Sequence, residues 1–207
     1  MLKIKNFRLV LAIVVAVILA VTSVAVVLYS LSTSDQSLTP SSQQNALPGQ
    51  INDPKGDLIA NVGSSKTPIV DVTKATIEKN GDQLKFNINV DGDISTLNED
   101  ETAQWNMIVL LENETDVLNA YEIKIEMNTT GIFGTAQNIE DENAQTCQVE
   151  YQGNVFAVQV ALDGTQNATH IEWNVSTVYD KTVGDNVIAN ICDFAPDEGL
   201  QETQLNT

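Results

Sequence analysis

The chain has 207 residues, with 28 acidic residues, 10 basic residues, one histidine and two cysteines. All of the acids follow residue 34 and three of the bases precede residue 9, so the rest of the chain sets seven lysines against 28 acids. A net charge near −21 repels phosphates, which argues against nucleic acid and anionic lipid headgroups as partners and favours cations or basic proteins.

An apolar stretch of twenty residues, Leu9–Leu28, contains no charge and no proline. A helix of that length spans about 30 Å, the thickness of the hydrocarbon core of a bilayer. The sequence therefore predicts one transmembrane anchor, and the membrane is the partner of these residues.

Positive charge before the anchor sets the predicted topology. Lys3, Lys5 and Arg8 precede the apolar stretch, and the next basic residue is Lys55. Because basic flanks stay in the cytoplasm, residues 1–8 are predicted to be a cytoplasmic tail and the remainder extracellular. A cleaved signal peptide is the alternative, and it too exports the bulk of the chain.

Residues 29–51 are rich in Ser, Thr and Gln and carry Pro40 and Pro48. They show no apolar periodicity, so they cannot bury enough surface to offset the entropy of ordering. We interpret this segment as a flexible stalk.

Alternating apolar and polar residues predict a series of short strands after the stalk. The predicted strands are Ile69–Glu78 with a bulge near Thr73 and Lys74, Gln83–Val90, Ala103–Leu111, Tyr121–Met127, Cys147–Gln152, Val155–Leu162, Ile171–Ser176 and Asn186–Cys192. No convincing amphipathic helix accompanies them. The fold class expected for residues 52–199 is all-β, a single antiparallel β-sandwich of immunoglobulin-like or jelly-roll-like type, and residues 200–207 are expected to be a disordered tail.

Short acidic turns open and close this predicted domain. Asp53 and Asp57 stand at its start, and Asp193 and Asp197 stand at its end. Because domain termini tend to lie close together, these carboxylates are candidates for a Ca²⁺ site, since Ca²⁺ takes six to eight oxygen ligands. The alternative is that they are ordinary Asp-Pro and Asp-Gly turns without a metal.

Two cysteines and four sequons bear on export. Cys147 and Cys192 are predicted to form a disulfide in an oxidising compartment, and two free thiols are the alternative. The Asn-x-Ser/Thr acceptors for N-glycosylation are Asn113, Asn128, Asn167 and Asn174.

Catalytic motifs are absent from the sequence, and no catalytic residue is assigned. The single histidine, His170, follows a sequon and begins a predicted strand. Trp105 and Trp173 stand in phase with apolar neighbours, which favours core packing over a sugar-stacking surface. A glycosidase-type carboxylate pair stays open, because the spacing of the many acids cannot be read from sequence.

Three short motifs carry a resemblance to a known group of proteins. They are Asp53-Pro-Lys-Gly-Asp57, Ile69-Val-Asp71-Val72 and Asp193-Phe-Ala-Pro-Asp197-Glu-Gly199. Together they resemble prokaryotic, largely archaeal, cell-surface β-sandwich domains over residues 53–199, with the stretch 129–144 outside the pattern. The resemblance implies an exported sandwich similar to carbohydrate-binding modules, with no settled activity.

The expected function follows from placement and architecture. We expect a membrane-anchored extracellular domain that acts as a non-catalytic binding or cell-envelope structural module, with a carbohydrate or an envelope protein as partner. The alternatives are a secreted carbohydrate-active enzyme and a self-assembling surface-layer or filament subunit.

Overall fold

The computed structural model describes residues 49–63, 68–93, 97–140, 144–197 and 199–205. They belong to one compact unit within residues 43–207. The predicted cytoplasmic tail, the anchor and all but the last three residues of the predicted stalk lie outside the described residues. Within the described ranges, no helix has the length and apolarity needed to cross a membrane.

The described residues form an almost entirely β structure of twelve strands. The strands are β1 (Gln50–Asn52), β2 (Ile59–Val62), β3 (Val72–Asn80), β4 (Gln83–Val90), β5 (Glu101–Glu112), β6 (Val117–Asn128), β7 (Gly131–Asn138), β8 (Ala144–Gln152), β9 (Val155–Ala161), β10 (His170–Val183), β11 (Asn186–Ala195) and β12 (Gln201–Gln204). Two short 3-10 turns, Pro68–Val70 and Thr165–Asn167, complete the regular structure of these ranges.

The strands pair into one antiparallel sheet. Its order is β1-β3-β4-β9-β8-β7-β6-β5-β10-β11-β2, and β12 pairs with β10 off this path. Strand β8 joins the two halves, because residues 144–147 pair with β7 whereas residues 148–152 pair with β9. Strand β3, near one end of the order, contacts β10 and β11 near the other. The sheet is therefore curled, and its ends meet.

Along most strands, alternate side chains point to the concave side of the curled sheet and form the core. Inward residues such as Leu84, Phe86, Ile88 and Val90 of β4 have no exposed surface, while their neighbours along the strand face outward. Burying apolar side chains of this size stabilises by about 1.5–3 kcal/mol each. The strand predicted at Gln83–Val90 has these same bounds in the structure, which confirms that element.

Two aromatic pairs join the halves of the sheet across the core. Trp105 of β5 packs on Phe156 of β9 with ring centroids 4.3 Å apart, and Trp173 of β10 meets the edge of Phe86 at 5.8 Å. All four side chains are fully buried. The tryptophans are thus core residues, as their phase predicted.

The bulge expected near Thr73 and Lys74 is also present, because the register of β3 against β4 shifts between Val72 and Lys74. Gly81 adopts a φ of 66° in the two-residue turn between these strands, a conformation that glycine adopts without strain.

Both predicted ends of the domain need correction. Ile51 of β1 is 1% exposed, so regular structure begins before the boundary that was set at residue 52. At the other end, the tail expected to be disordered contains β12, which pairs with residues 170–173 of β10. Its polar composition concealed two buried residues, Thr203 and Leu205, which are 4% and 5% exposed.

Candidate metal site

The turn that follows β1 carries the first two aspartates of the candidate site. It spans residues 53–57, and Gly56 has a left-handed φ of 88° that lets the chain reverse. The N–H of Asp53 donates to the carbonyl oxygen of Thr73 at 3.2 Å. The N–H of Gly56 donates to Oδ2 of Asp71 at 2.8 Å. These two bonds hold the turn against the start of β3.

Asp193 reaches the same place from the far end of the sheet. It lies on β11, faces inward like Ile191 and is 2% exposed. Its Oδ2 accepts a hydrogen bond from the N–H of Val72 at 2.7 Å. The carboxylate is therefore fixed beside the turn at residues 53–57.

The structure brings three of the four predicted ligands together. Carboxylate oxygens of Asp53, Asp57 and Asp193 all lie within 4.8 Å of one another. Asp197, the fourth predicted residue, is exposed and is not a member of this group. Its charge still acts on the group, since it contributes to raising the pKa values of Asp53 and Asp57.

Burial and mutual repulsion disfavour the charged forms of these carboxyl groups. Burial, followed by the charges of Asp193, Asp57, Asp197 and Asp71, raises the pKa of Asp53 to about 9. Burial also raises the pKa of Asp193 to about 7, with the charge of Asp57 adding to it against the hydrogen bond from Val72. The pKa values of Asp57 and Asp71 are raised, in both cases mainly by burial.

Several of these oxygens are buried without a hydrogen-bond donor. Oδ2 of Asp53, both carboxylate oxygens of Asp57 and Oδ1 of Asp71 are shielded from solvent and accept no hydrogen bond within the described structure. Buried polar atoms are almost always hydrogen-bonded, because an unpaired one costs about 1–3 kcal/mol. These oxygens could therefore accept a donor or a cation.

Asp71 is a buried carboxylate beside this group, and the metal-site hypothesis did not include it. It is 2% exposed and stands between the buried residues Val70 and Val72. The sequence signal for it was present, because a carboxylate inside the apolar run Ile69–Val72 needs a specific reason to be buried.

The cysteines are separate thiols in the structure. Cys147 lies on β8 and Cys192 on β11, with β7, β6, β5 and β10 between them in the sheet order. The Sγ atom of Cys192 faces the carbonyl oxygen of Ile59 at 3.7 Å. Burial raises the pKa of Cys147 to about 11, which keeps it a neutral thiol at physiological pH. The disulfide between the two residues stays a prediction.

The four sequon asparagines lie on turns or outward positions. Asn113 and Asn128 occupy hairpin turns, where their Oδ1 atoms accept the N–H of Thr115 and Thr130 at 2.9 and 2.8 Å. Asn167 is exposed in a 3-10 turn. Asn174 faces away from the core of β10, and its Oδ1 accepts the N–H of Ile108 at 3.3 Å. Glycosylation of these residues stays a prediction.

A shallow polar cleft of about 410 Å³ lies at the β3–β4 hairpin. Its lining consists of Glu78, Lys79, Asn80, Gln83, Lys85 and Gln159. No aromatic residue lines it, so it lacks the stacking platform that a sugar would use. His170, whose Nδ1 lies 2.8 Å from the hydroxyl of Thr169, is not in this cleft.

Comparisons with known proteins place the chain in no family. Neither the known family models nor the curated protein sequences contain a significant match to it.

Proposed function

We propose that this chain is a membrane-anchored extracellular β-sandwich that acts as a non-catalytic structural or binding module of the cell envelope. In this proposal, residues 9–28 hold it in the membrane and residues 1–8 stay in the cytoplasm. Its partner is an envelope protein or a carbohydrate of the cell surface. The resemblance to prokaryotic surface domains supports this assignment.

The non-catalytic part of the proposal rests on the shielding of the aspartate cluster, Asp53, Asp57, Asp71 and Asp193, from solvent. The carboxylates of the cluster have strongly raised pKa values, and groups with shifted pKa values are the usual candidates for catalysis. A glycosidase needs its two carboxylates on opposite sides of an accessible glycosidic bond. The unpartnered oxygens of Asp53, Asp57 and Asp71 are shielded from solvent, which does not fit a pair of carboxylates placed on either side of a bound sugar.

Burial of the tryptophans also argues against a sugar-processing groove. Trp105 and Trp173 are fully buried and pack on phenylalanines of the other half of the sheet. Of the exposed large apolar residues, the aromatic ones are Phe133 and Tyr151 on β7 and β8. If the module binds carbohydrate, these two side chains are the candidates for stacking.

Topology can be tested on intact cells. Protease added outside should remove the part of the chain after the stalk and spare a fragment that contains residues 1–8. Full protection of the β domain would contradict the proposed orientation.

The absence of catalysis can be tested with the full-length protein in detergent. A panel of cell-surface glycans is offered to it, and both retention and the release of reducing ends are measured. The proposal expects no release from any glycan, whether or not one is retained. Turnover that disappears in an Asp53→Asn variant would instead establish the carbohydrate-active enzyme.

One observation favours the alternative of self-assembly. Strand β2 ends the order of paired strands in the described residues, and its Ile59 and Val62 are 45% and 46% exposed. Val187 and Ile188 on the adjoining part of β11 are exposed as well. An apolar edge strand is a template for pairing with another copy of the same chain.

Electron microscopy and light scattering of the purified protein test this alternative. Edge pairing predicts oligomers or filaments that a Val62→Lys substitution disperses. Tyr151→Lys, which changes an exposed residue far from β2 in the sheet order, is the matched control and should leave assembly unchanged. A monomer at all concentrations rules the alternative out.

A further inference from the structure

We propose that Asp53, Asp57, Asp71 and Asp193 form a binding site for one divalent cation of the calcium class. The cation would tie the turn at residues 53–57 to the start of β3 and to β11. The inference concerns the folded domain alone and does not depend on where that domain is displayed.

The first observation is the number of oxygens that are left without a partner. Four carboxylate oxygens on Asp53, Asp57 and Asp71 are shielded from solvent and accept no hydrogen bond from the described residues. A neutral turn would have satisfied them with N–H donors or water. A cation satisfies all of them at once.

The second observation is the position of Asp71, which is independent of the acidic turns. Its side chain is 2% exposed, and its Oδ2 is held by the N–H of Gly56 at 2.8 Å. The carboxylate therefore lies against the turn that carries Asp53 and Asp57, while its Oδ1 has no partner. Its charge contributes to raising the pKa values of Asp53, Asp57 and Asp193, so it lies near enough to act on a cation bound between them.

Lys55 offsets only part of this negative charge, since it lowers the pKa of Asp71 whereas burial and the charge of Asp91 raise it. Lys55 lies in the same turn but forms an ion pair with Asp91, and its side chain is 66% exposed. Electrostatic effects on Asp53 come from Asp193, Asp57, Asp197 and Asp71, all of one sign. A dication at the centre converts this repulsion into attraction.

The ligand chemistry selects the kind of ion. All of the converging groups are carboxylates, which suit hard cations such as Ca²⁺, Mg²⁺ and Mn²⁺. The one nearby sulfur, in Cys192, faces Ile59 from the opposite side of β11, so the site lacks the nitrogen or sulfur ligands that zinc favours. Because the carboxylates come from a turn and from separate strands, the irregular coordination of Ca²⁺ fits better than the strict octahedron of Mg²⁺.

The experiment is thermal unfolding of the full-length protein in detergent micelles. Fluorescence of Trp105 and Trp173 reports the loss of the core, since both are fully buried. Unfolding is compared in millimolar Ca²⁺, in Mg²⁺ and in a chelator at matched ionic strength. At about a hundredfold excess over Kd, Ca²⁺ should raise the midpoint by about 5–10 °C, and calorimetric titration should give one ion per chain.

Variants that remove one negative charge distinguish cation binding from a purely structural role of these aspartates. Asp57→Asn keeps the size of the side chain and removes its charge, which contributes to raising the pKa values of Asp53 and Asp193. We expect it to raise the midpoint in chelator by relieving repulsion and to lose most of the gain in Ca²⁺. Asp71→Asn should lose the Ca²⁺ gain as well. Asp82→Asn, in the exposed β3–β4 turn, is the matched control and should keep the full gain.

The proposal is overturned by any of three results. The first is an unchanged midpoint in Ca²⁺. The second is an equal shift in Mg²⁺ or plain salt, which would mean screening of a crowded acidic surface. The third is an equal loss of the Ca²⁺ gain in Asp57→Asn and Asp82→Asn.

Discussion

The backbone N–H of Val72 donates to the carboxylate of Asp193 at 2.7 Å, across 121 residues of sequence. Val72 begins β3, and Asp193 lies on β11 near the opposite end of the sheet order. The hydroxyl of Thr177 on β10 makes a second such link by donating to the carbonyl oxygen of Val70 at 2.7 Å. The curl of the sheet is thus closed by buried side chain-to-backbone bonds as well as by apolar packing.

Removing the acceptor at Asp193 should open this closure. In Asp193→Ala, the buried N–H of Val72 loses its partner, which costs about 1–3 kcal/mol in the free energy of unfolding. Asp193→Asn keeps a side-chain acceptor and removes a charge, so in chelator it should cost less than the alanine variant. Urea unfolding of both variants measures the difference. Equal losses would mean that the hydrogen bond does not contribute.

The pH dependence of the cation-free protein should run opposite to that of most acidic proteins. The pKa of Asp53 is raised from 3.8 to about 9 and that of Asp193 to about 7, so the folded state binds more protons than the unfolded state across this range. Stability in chelator should therefore fall as the pH rises from about 4 towards 9. Thermal midpoints at several pH values test this, and Asp53→Asn should flatten the slope. A midpoint that rises with pH in chelator would contradict the burial of these groups.

A carboxylate outside the cluster, Glu101, should make the stability of the fold rise with pH between about pH 2 and 4.5. Burial raises its pKa, but hydrogen bonds from Asn98 and Lys181 outweigh burial and lower the value to about 2. Its contribution to stability is present above about pH 4.5 and is lost as the pH falls towards 2. Glu101→Gln should be less stable at neutral pH and lose less on acidification. Glu122→Gln, on the exposed side of β6, should behave like the unmodified protein.

Strict alternation explains which parts of the fold could be predicted from the sequence. Gln83–Val90 alternates at every position, and β4 has the predicted bounds. By contrast, no strand is predicted where β7 lies, because Gly131, Gly134 and several polar residues weaken the alternation. A strand that is stabilised mainly by pairing with its neighbours shows little strand preference in its own sequence.

Some features of the candidate site could likewise be predicted from the sequence, and others could not. Asp53, Asp57 and Asp193 could be predicted to meet, because the two ends of a domain tend to be neighbours. For Asp71 the apolar run Ile69–Val72 indicates burial, but the contact of its carboxylate with the turn at Gly56 is long-range and cannot be read from the sequence. Nor could the exposure of Asp197, which lies four residues from Asp193 but beyond the end of β11.

The pairing of β12 can be tested through one hydrogen bond. The indole Nε1 of Trp173 donates to the hydroxyl of Thr203 at 3.1 Å, and Thr203 is 4% exposed. Thr203→Val keeps the shape but leaves the indole N–H unpaired, which should cost about 1–3 kcal/mol. Thr203→Ser keeps the hydroxyl and should cost less. Urea unfolding followed by tryptophan fluorescence measures both, and a neutral Thr203→Val would mean that residues 201–204 do not dock on β10.

The crossing of β8 between the two halves of the sheet can be tested at Gly134 of β7. A methyl group there would overlap Cγ2 of Val149 and approach Cβ of Cys147 to 3.0 Å, although the backbone of Gly134 itself is not in the left-handed region. Valine is stiff about χ1, so it cannot easily turn away. Gly134→Ala should therefore destabilise by about 1–3 kcal/mol through overpacking.

Val149→Ala removes the obstructing methyl groups, and the double variant should recover most of what Gly134→Ala loses. A double-mutant cycle of unfolding free energies measures this coupling. Additive losses would mean that Gly134 and Val149 are not in contact, and the pairing of β7 with β8 at residues 134–137 would then be wrong.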